Sequence, residues 1–419
     1  MKKMTFVTLI ILFPSLVFAY VNTSINKDNG LITANGSFFY PKIVWNCSDL
    51  EGISEVAAHG FNVALDIWAG STGDVSRTIT FLDNCQKSGI FGIPGIGRNV
   101  VRDISKLTSY IDGIKQHKAL FAISFPDEAT ITYESEPAPN TKTELLAAYY
   151  KIKELAPNLI IICDNFTEAN GVSWKDLGDV VDAIGIDLYP FVTDPSWNSF
   201  HSWQITTKKV ETDSLAGNTC KAIWQFAQGS SSGNYQRIPT YHDMCLQFWA
   251  SITYFAKGSY QIYGWNISSN GMKTNTAVRD DAYKLIMNII NPNIEWLANS
   301  LKYKEKITIS ATVNNDLLIG DNPYVSYICL IYKEQVFLVI INGHYSKNCG
   351  SIVVGIDGLS DQIGTVIADS SGNFSPNINN NIISIGDIEP FGYRVLRLNQ
   401  DVKKINTPSN LKILNGNGM

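Results

Sequence analysis

Between residue 38 and about residue 290 the chain alternates between two textures, and that alternation constrains its fold more than any other feature. Short apolar runs bounded by Gly, Pro or Asn read as strands: Phe38–Trp45, Asn62–Ile67, Ile90–Ile96, Leu120–Ser124, Leu159–Cys163, Ala183–Ile186, Ala222–Phe226 and Tyr260–Trp265. Between them lie stretches with helical spacing, such as Ser48–His59, Val75–Lys87, Asp103–His117, Lys142–Leu155, Thr240–Lys257 and Ala277–Ile290. Ser48 and Asp103 occupy N-cap positions, and Glu51 follows Ser48 by three residues. Strands that are apolar throughout must be covered on both faces, which predicts a parallel sheet under helices. Eight strand–helix units in roughly 250 residues is the count of a (β/α)8 barrel. The expected fold class is therefore α/β, a (β/α)8 TIM barrel. An open doubly wound sheet is the rival, but its nucleotide fingerprint is missing. Gly92-x-x-Gly95-x-Gly97 has the wrong order of spacings and follows the third strand, so it reads as a turn.

After Pro292 the texture changes. Short alternating segments follow at Ile307–Val313, Tyr324–Tyr332, Val336–Ile341, Ser351–Val354, Ile363–Ala368 and Tyr393–Leu398. Turns at Asn314-Asn315-Asp316, Asn342-Gly343 and Ser371-Gly372-Asn373 punctuate them, which predicts an antiparallel β-sandwich. The expected organisation is a barrel over 30–295, a β-sandwich over 297–400 and a disordered polar tail over 401–419.

The N-terminus predicts an address. Met1-Lys2-Lys3 is a basic start, Thr5 to Phe18 is apolar, and Val17-Phe18-Ala19 offers a cleavage site. Residues 1–19 read as a secretory signal peptide cleaved near Ala19, and the mature protein as secreted. No later stretch has the length of a membrane span, so no membrane partner is expected once the signal is removed. Net charge is -5 with no Lys/Arg block, which argues against a nucleic-acid partner. The seven cysteines are an odd number in a disulfide-permissive setting. Cys163 reads as a buried thiol, while Cys329 and Cys349 could pair.

In barrels of this kind the active site sits at the C-terminal ends of the strands. That rule selects Asp66 on the second strand, Asp127 and Glu128 after the fourth, Asp164 on the fifth and Asp187 on the sixth. It also selects Trp45, Trp68, Tyr189 and Trp265 as aromatic neighbours. Carboxyl groups ringed by aromatic faces suit a carbohydrate. Cleavage of a glycosidic bond needs one carboxyl to protonate the leaving oxygen and a second as nucleophile or base. Trp249 and Trp296, on helical stretches, read as packing. His242 reads as a cap for the helix beginning near Thr240. The five histidines show no metal spacing, so neither metal nor cofactor is expected.

Phe121-Ala-Ile-Ser-Phe-Pro-Asp-Glu-Ala129 resembles the fourth-strand motif of (β/α)8 glycoside hydrolases, where Asn-Glu-Pro or Asp-Glu-Pro carries the acid/base glutamate. Val181-Asp-Ala-Ile-Gly-Ile-Asp-Leu-Tyr-Pro190 is similar to their sixth strand. Ala222-Ile-Trp-Gln-Phe-Ala-Gln228 and Ile262-Tyr-Gly-Trp265 resemble strands seven and eight of poorly characterised members. The closing Glu389-Pro-Phe-Gly-Tyr-Arg-Val-Leu-Arg-Leu398 resembles their accessory β domain. The resemblance implies a secreted hydrolase of O-glycosidic bonds with Glu128 as general acid/base. Asp187 and Asp164 are candidates for the second carboxylate. Asp66, Asp127, Trp45, Trp68, Tyr189, Gln225 and Trp265 are expected to bind the carbohydrate substrate. One departure stands out: strand seven carries Gln225 and Gln228 where retaining relatives place a nucleophilic Glu. That departure keeps open a second reading, a non-catalytic carbohydrate-binding protein on a decayed hydrolase barrel. An esterase elbow at Gly229-Ser-Ser-Ser-Gly233 is disfavoured, because a Pro-containing loop follows where a helix is required.

Overall fold

A computed structural model describes residues 21–399, apart from 135, 195, 197–198, 232–235, 267–269, 319–322, 358–363, 373 and 380–381. The expected leader (1–19) and tail (401–419) lie outside the described residues. The described chain opens with a three-stranded antiparallel sheet, β1 (Thr23–Ile25), β2 (Ile32–Ala34) and β3 (Ser37–Phe39). Eight parallel strands then close into a barrel in chain order. They are β4 (Lys42–Trp45), β5 (Val63–Gly70), β6 (Phe91–Ile96), β7 (Ala122–Ser124), β8 (Ile160–Asn165), β9 (Ala183–Ile186), β10 (Ala222–Gln228) and β11 (Tyr260–Tyr263). The strands alternate with helices α1 (Leu50–Ala58), α2 (Val75–Lys87), α3 (Arg98–Arg102), α4 (Ile104–Ile114), α5 (Lys142–Leu155), α6 (Trp174–Gly178), α7 (Ser199–Leu215), α8 (Tyr241–Thr253) and α9 (Thr276–Leu285). A π-helical turn, Ile286–Ile290, leads into α10 (Asn291–Asn299).

The two-residue period of a strand sorts each apolar run into two cores. Val63 and Leu65 join Ile93, Ile160, Ile162, Trp224 and Phe226 inside the barrel. Their neighbours Ala64, Ile161, Ile223 and Ala227 pack outward under the helices. Burial on both faces is why the runs lack alternation. The β1–β3 sheet closes the N-terminal end of the barrel. Ile25 and Ile32 enter the interior cluster. The Phe39 ring lies 5.2 Å from Phe91 and 5.1 Å from Phe121. The expected strand Phe38–Trp45 is thus two strands. Pro41 separates them, since it has no N–H for a ladder.

Helix caps follow the sequence with two corrections. Asp103 caps α4 through Lys106 N at 3.0 Å, as expected. α1 is capped by Asp49, which accepts from Gly52 N at 2.8 Å, and not by Ser48. Two adjacent residues with capping side chains left the boundary ambiguous by one. Thr240 and Asp243 form a capping box on α8. His242 instead places Nε2 3.1 Å from the Phe391 carbonyl in the following β region.

Beyond α10 come β12 (Leu301–Lys302), β13 (Ile307–Ala311), β14 (Val325–Tyr332), β15 (Gln335–Asn342), β16 (Ser351–Ile356), β17 (Thr365–Asp369), β18 (Asn377–Asn379), β19 (Ile382–Asp387) and β20 (Tyr393–Asn399). They form two antiparallel sheets, β12-β14-β15-β20-β17 and β13-β16-β19-β18. Val336, Leu338 and Ile340 of β15 face the sandwich core with Ile352, Val354 and Ile383. Phe337, Val339 and Ile341 face the barrel's helical layer. Trp296 stacks between them, 4.2 Å from Phe337 and 6.2 Å from Trp249, so both tryptophans are packing. The anticipated Cys329–Cys349 bond is not formed. All seven cysteines are buried free thiols, Cys163 in β8 among them. No helix among the described residues is long and apolar enough to cross a membrane.

Candidate active site

The C-terminal ends of β7, β8 and β9 are adjacent, and they gather four carboxyl groups. Asp164 lies on β8 in step with Ile160 and Ile162, so it shares their inward face. Gln261 of β11 reaches it across the barrel, donating from Nε2 to Asp164 Oδ2 at 2.8 Å. Gly185 of β9 makes room: a Cβ there would stand 1.9 Å from Asp164 Oδ1. Asp187, just past β9, donates its backbone N–H to the Asn165 carbonyl at 3.0 Å, and its side chain is hydrogen-bonded to Tyr189. The Tyr189 ring in turn stands 6.2 Å from Phe226.

Glu128 follows β7 in the left-handed region, with φ +47°. A non-glycine residue held there costs roughly 1–3 kcal/mol and needs fixing from outside. Three backbone contacts fix it. Its N–H donates to the Asp164 carbonyl at 3.1 Å. Its carbonyl accepts from Ile131 N at 2.9 Å and from Arg98 Nη2 at 3.0 Å. Arg98 is itself buried. It donates from Nη1 to the Pro137 carbonyl at 2.8 Å and pairs with Glu136 at 3.2 Å.

Burial dominates the electrostatics. It pushes the Glu128 carboxyl up to about 8, with Asp187 and Glu136 adding and Arg98 opposing. Burial also raises Asp164 to about 7, against the bond from Gln261 and with the charge of Asp187. Asp187 rises least, to about 6, because Tyr189 stabilises its anion. Burial and the charges of Asp187, Glu128 and Asp164 hold Asp127 well above the usual carboxylate range. Among the described residues, Oδ1 of Asp127, Asp164 and Asp187 and Oε1 of Gln261 are buried without a hydrogen-bond partner.

Three anticipated site residues lie elsewhere. Asp66 is in step with Ala64, which packs outward under the helices. It accepts from Trp68 N at 2.9 Å and sits near Arg77, Cys85 and Tyr110. Gln225 is in step with Ile223 and Ala227, on the same outer side. Trp265 packs against α1, where a Cβ on Gly52 would stand 2.6 Å from its Nε1. Strand ends specify height in the barrel; the two-residue period specifies the side and puts Asp66 and Gln225 outside, whereas Trp265 lies past the end of β11, beyond Gly264 at φ +130°, where the strand period no longer applies. Trp45 belongs to the interior cluster, and Trp68, toward the C-terminal end of β5, is 51% exposed. Gln228 is consumed by backbone, accepting from Phe191 N and donating to the carbonyls of Phe191, Ser230 and Arg237. Gln261 and Arg98 were missed. Gln261 had a readable signal, an amide inside an apolar strand; Arg98, on a short helix, had none.

No protein-family model matches the sequence, and no curated protein matches it. Solved structures match in fold. An α-amylase from Anoxybacillus is 10% identical with a TM-score of 0.50, over 86% of this chain and 98% of that one. An α-L-arabinofuranosidase from Thermotoga maritima is 12% identical with a TM-score of 0.49, over 86% and 96%. A glycoside hydrolase family 30 subfamily 8 xylanase from Clostridium acetobutylicum is 11% identical with a TM-score of 0.47, over 91% and 97%. The likeness is one of fold, the (β/α)8 barrel found among glycoside hydrolases.

Proposed function

We propose that the protein is an exported glycoside hydrolase that cleaves O-glycosidic bonds of a polysaccharide or glycan by carboxylic acid/base catalysis. The observation that carries this reading is the gathering of Asp127, Glu128, Asp164 and Asp187 at the adjacent ends of β7, β8 and β9, where burial and neighbouring charge hold Glu128 up to about 8 and Asp187 at about 6. Two interacting carboxyls pushed apart in this way divide naturally into acid and base. Glu128 donates its proton to the departing glycosidic oxygen. Asp187, ionised near neutrality, attacks the anomeric carbon or activates water, and Asp164 and Asp127 bind hydroxyls around it. Trp45 and Tyr189 offer ring faces to the sugar, and Trp68 extends that surface at the mouth. Export rests on the basic and apolar segment ending near Ala19.

The spent amide of Gln228 favours a second reading, a carbohydrate-binding protein on a decayed hydrolase barrel, since that strand end offers no acid. One paired measurement separates the two. Glu128→Gln keeps shape and removes the proton. Hydrolysis of natural glycans should fall by about 10²–10⁴. An activated aryl glycoside, whose leaving group needs no proton, should suffer less. Wild-type cleavage of both by the variant eliminates Glu128 as the acid. Glycan binding without cleavage by the wild type, across a broad panel, establishes the binding protein.

A further inference from the structure

Where the sandwich meets the outer wall of the barrel, a cavity of about 220 Å³ lies between α7, the end of α8 and the start of β14. Barrel helices run back against their strands, so the end of α8 sits away from the strand ends that carry Glu128 and Asp187. The β14 wall is an unfinished strand edge. β12 covers β14 only at Leu330 and Ile331, and Tyr303 N donates to the Cys329 carbonyl at 2.9 Å. Val325 and Tyr327 are in step with Cys329, so their N–H and C=O groups point the same way, past the end of β12. No strand among the described residues pairs with them there. Glu211 of α7 pairs with Lys302 at the end of β12, which brings the helix alongside this open edge. The wall is fixed from within. Gln204 Nε2 donates to the Tyr324 carbonyl at 3.2 Å and to Ser326 Oγ at 3.3 Å, and Ser326 Oγ lies 2.9 Å from Thr253 Oγ1.

We propose that this cavity is a second carbohydrate site, which takes one neutral sugar ring and anchors the protein to a glycan away from the acid cluster. The inference goes beyond the glycoside hydrolase reading and does not depend on the chemistry at Glu128. The volume is far above the roughly 10–15 Å³ that one water needs and below the roughly 300–1,000 Å³ of sites for drug-sized ligands, so it suits a single small ring. The open backbone edge, the Lys208 ammonium and the Glu211 carboxylate present donors and acceptors together, and a sugar hydroxyl is both at once. The opposite charges of Lys208 and Glu211 disfavour an ionic ligand of either sign. The side chains of Tyr254 and Tyr327 add apolar ring surface for the C–H groups of a pyranose. A peptide strand would need more edge, since the open stretch meets β12 after two outward-facing residues and strands usually run to about 5–6. With Gln204, Ser326 and Thr253 already bonded to one another, little ordering of the wall is left to oppose binding.

The test is saturation-transfer NMR on the full protein with the methyl glycosides of glucose, xylose and mannose, and with glucuronate as the charged control. At least one neutral glycoside is expected to bind. Its affinity should fall by about tenfold in Ile205→Trp, whose larger side chain fills the cavity from α7. Lys208→Ala, at an exposed helix position, removes one donor without disturbing the core, and should weaken binding by about threefold. Thermal unfolding confirms that each variant is folded. Crystals soaked in the bound glycoside should show its ring beside Val325 and Tyr327. Binding that is unchanged in both folded variants overturns the inference, because the sugar then sits elsewhere. Preference for glucuronate, or no binding by any of the four probes, overturns it as well. None of these outcomes touches the hydrolase reading, which turnover of the wild type decides separately.

Discussion

Asp182 and Asp187 stand at opposite ends of β9, both less than a tenth exposed, in opposite circumstances. Asp182, at the N-terminal end, is fully engaged. Its Oδ2 accepts from Ile161 N at 2.9 Å and pairs with Lys153 Nζ at 2.6 Å. Its Oδ1 accepts from Tyr149 Oη at 3.2 Å and lies 3.7 Å from Lys221 Nζ. Asp187, at the C-terminal end, has an Oδ1 with no partner among the described residues, and other carboxyls surround it. One buried aspartate is neutralised and ties helices to the sheet. The other is left exposed to like charge. The same residue type on the same strand is thus a neutralised acid at one end and, at the other, the acid to which we assign the chemistry; their partners differ and their burial does not.

Exchanging the lesions should give the largest effects. Asp187→Asn is expected to reduce turnover by about 10²–10⁴, the usual worth of a positioned acid or base, with folding intact. Asp182→Ala is expected to cost about 3–5 kcal/mol, because it strands Lys153 beside an empty partner site. Its activity per folded molecule should stay near wild type. Urea unfolding and turnover measured on the same samples check both. Loss of activity in folded Asp182→Ala, or full activity in Asp187→Asn, would erase the distinction.

The pH dependence sharpens the comparison next. Under the proposed mechanism turnover requires Asp187 ionised and Glu128 protonated, so the profile should be bell-shaped with limbs near 6 and 8. Each limb should fall about tenfold per pH unit. Stability runs in a definite direction. Asp164 has its carboxyl raised to about 7 in the folded protein, so the native state holds a proton that the unfolded state has released. Its favourable contribution is full below the ordinary carboxylate range and is lost as pH rises from there through about 7. Asp164→Asn removes the titration while keeping an acceptor for Gln261. The variant should gain on wild type across that window, by an amount on the order of a few kcal/mol at pH 8 and little at pH 4. Parallel urea curves at the two pH values check it.

The barrel was legible because parallel strands buried on two faces leave an unmistakable run of apolar residues, and all eight runs lie at barrel strands. The hairpin at Ser37–Phe39 was not, because Phe38 to Trp45 reads continuously until Pro41 is given its weight. At the site, strand-end position identified Glu128, Asp164 and Asp187 together with Asp127. It also admitted Asp66 and Gln225, whose side depends on strand register, and Trp265, which lies past the end of β11. That register is set by helix packing around each strand, as Ala64 and Ile223 show by facing outward. The partner of Asp164 was less accessible still, since Gln261 lies 97 residues along the chain and meets it only when the barrel closes.

Asp66 provides the smallest expected effect and a direct check on which side of β5 it occupies. It is an aspartate at a barrel strand end, buried, with its carboxyl raised by desolvation, much as in the reactive cluster. What differs is direction. Asp66 turns toward Arg77 and accepts from Trp68 N, on the helix-facing side of β5. Asp66→Asn preserves the acceptor for Trp68 N and removes only the charge. Turnover should therefore change by less than about twofold, since charges separated by the sheet couple weakly beside the contribution of a true acid or base. The two limbs of the pH profile should stay in place, because the charges acting on Glu128 come from Asp187, Glu136 and Arg98. A displaced limb, or a loss of turnover approaching that of Asp187→Asn, would place Asp66 inside the barrel mouth and make the reactive cluster one acid larger.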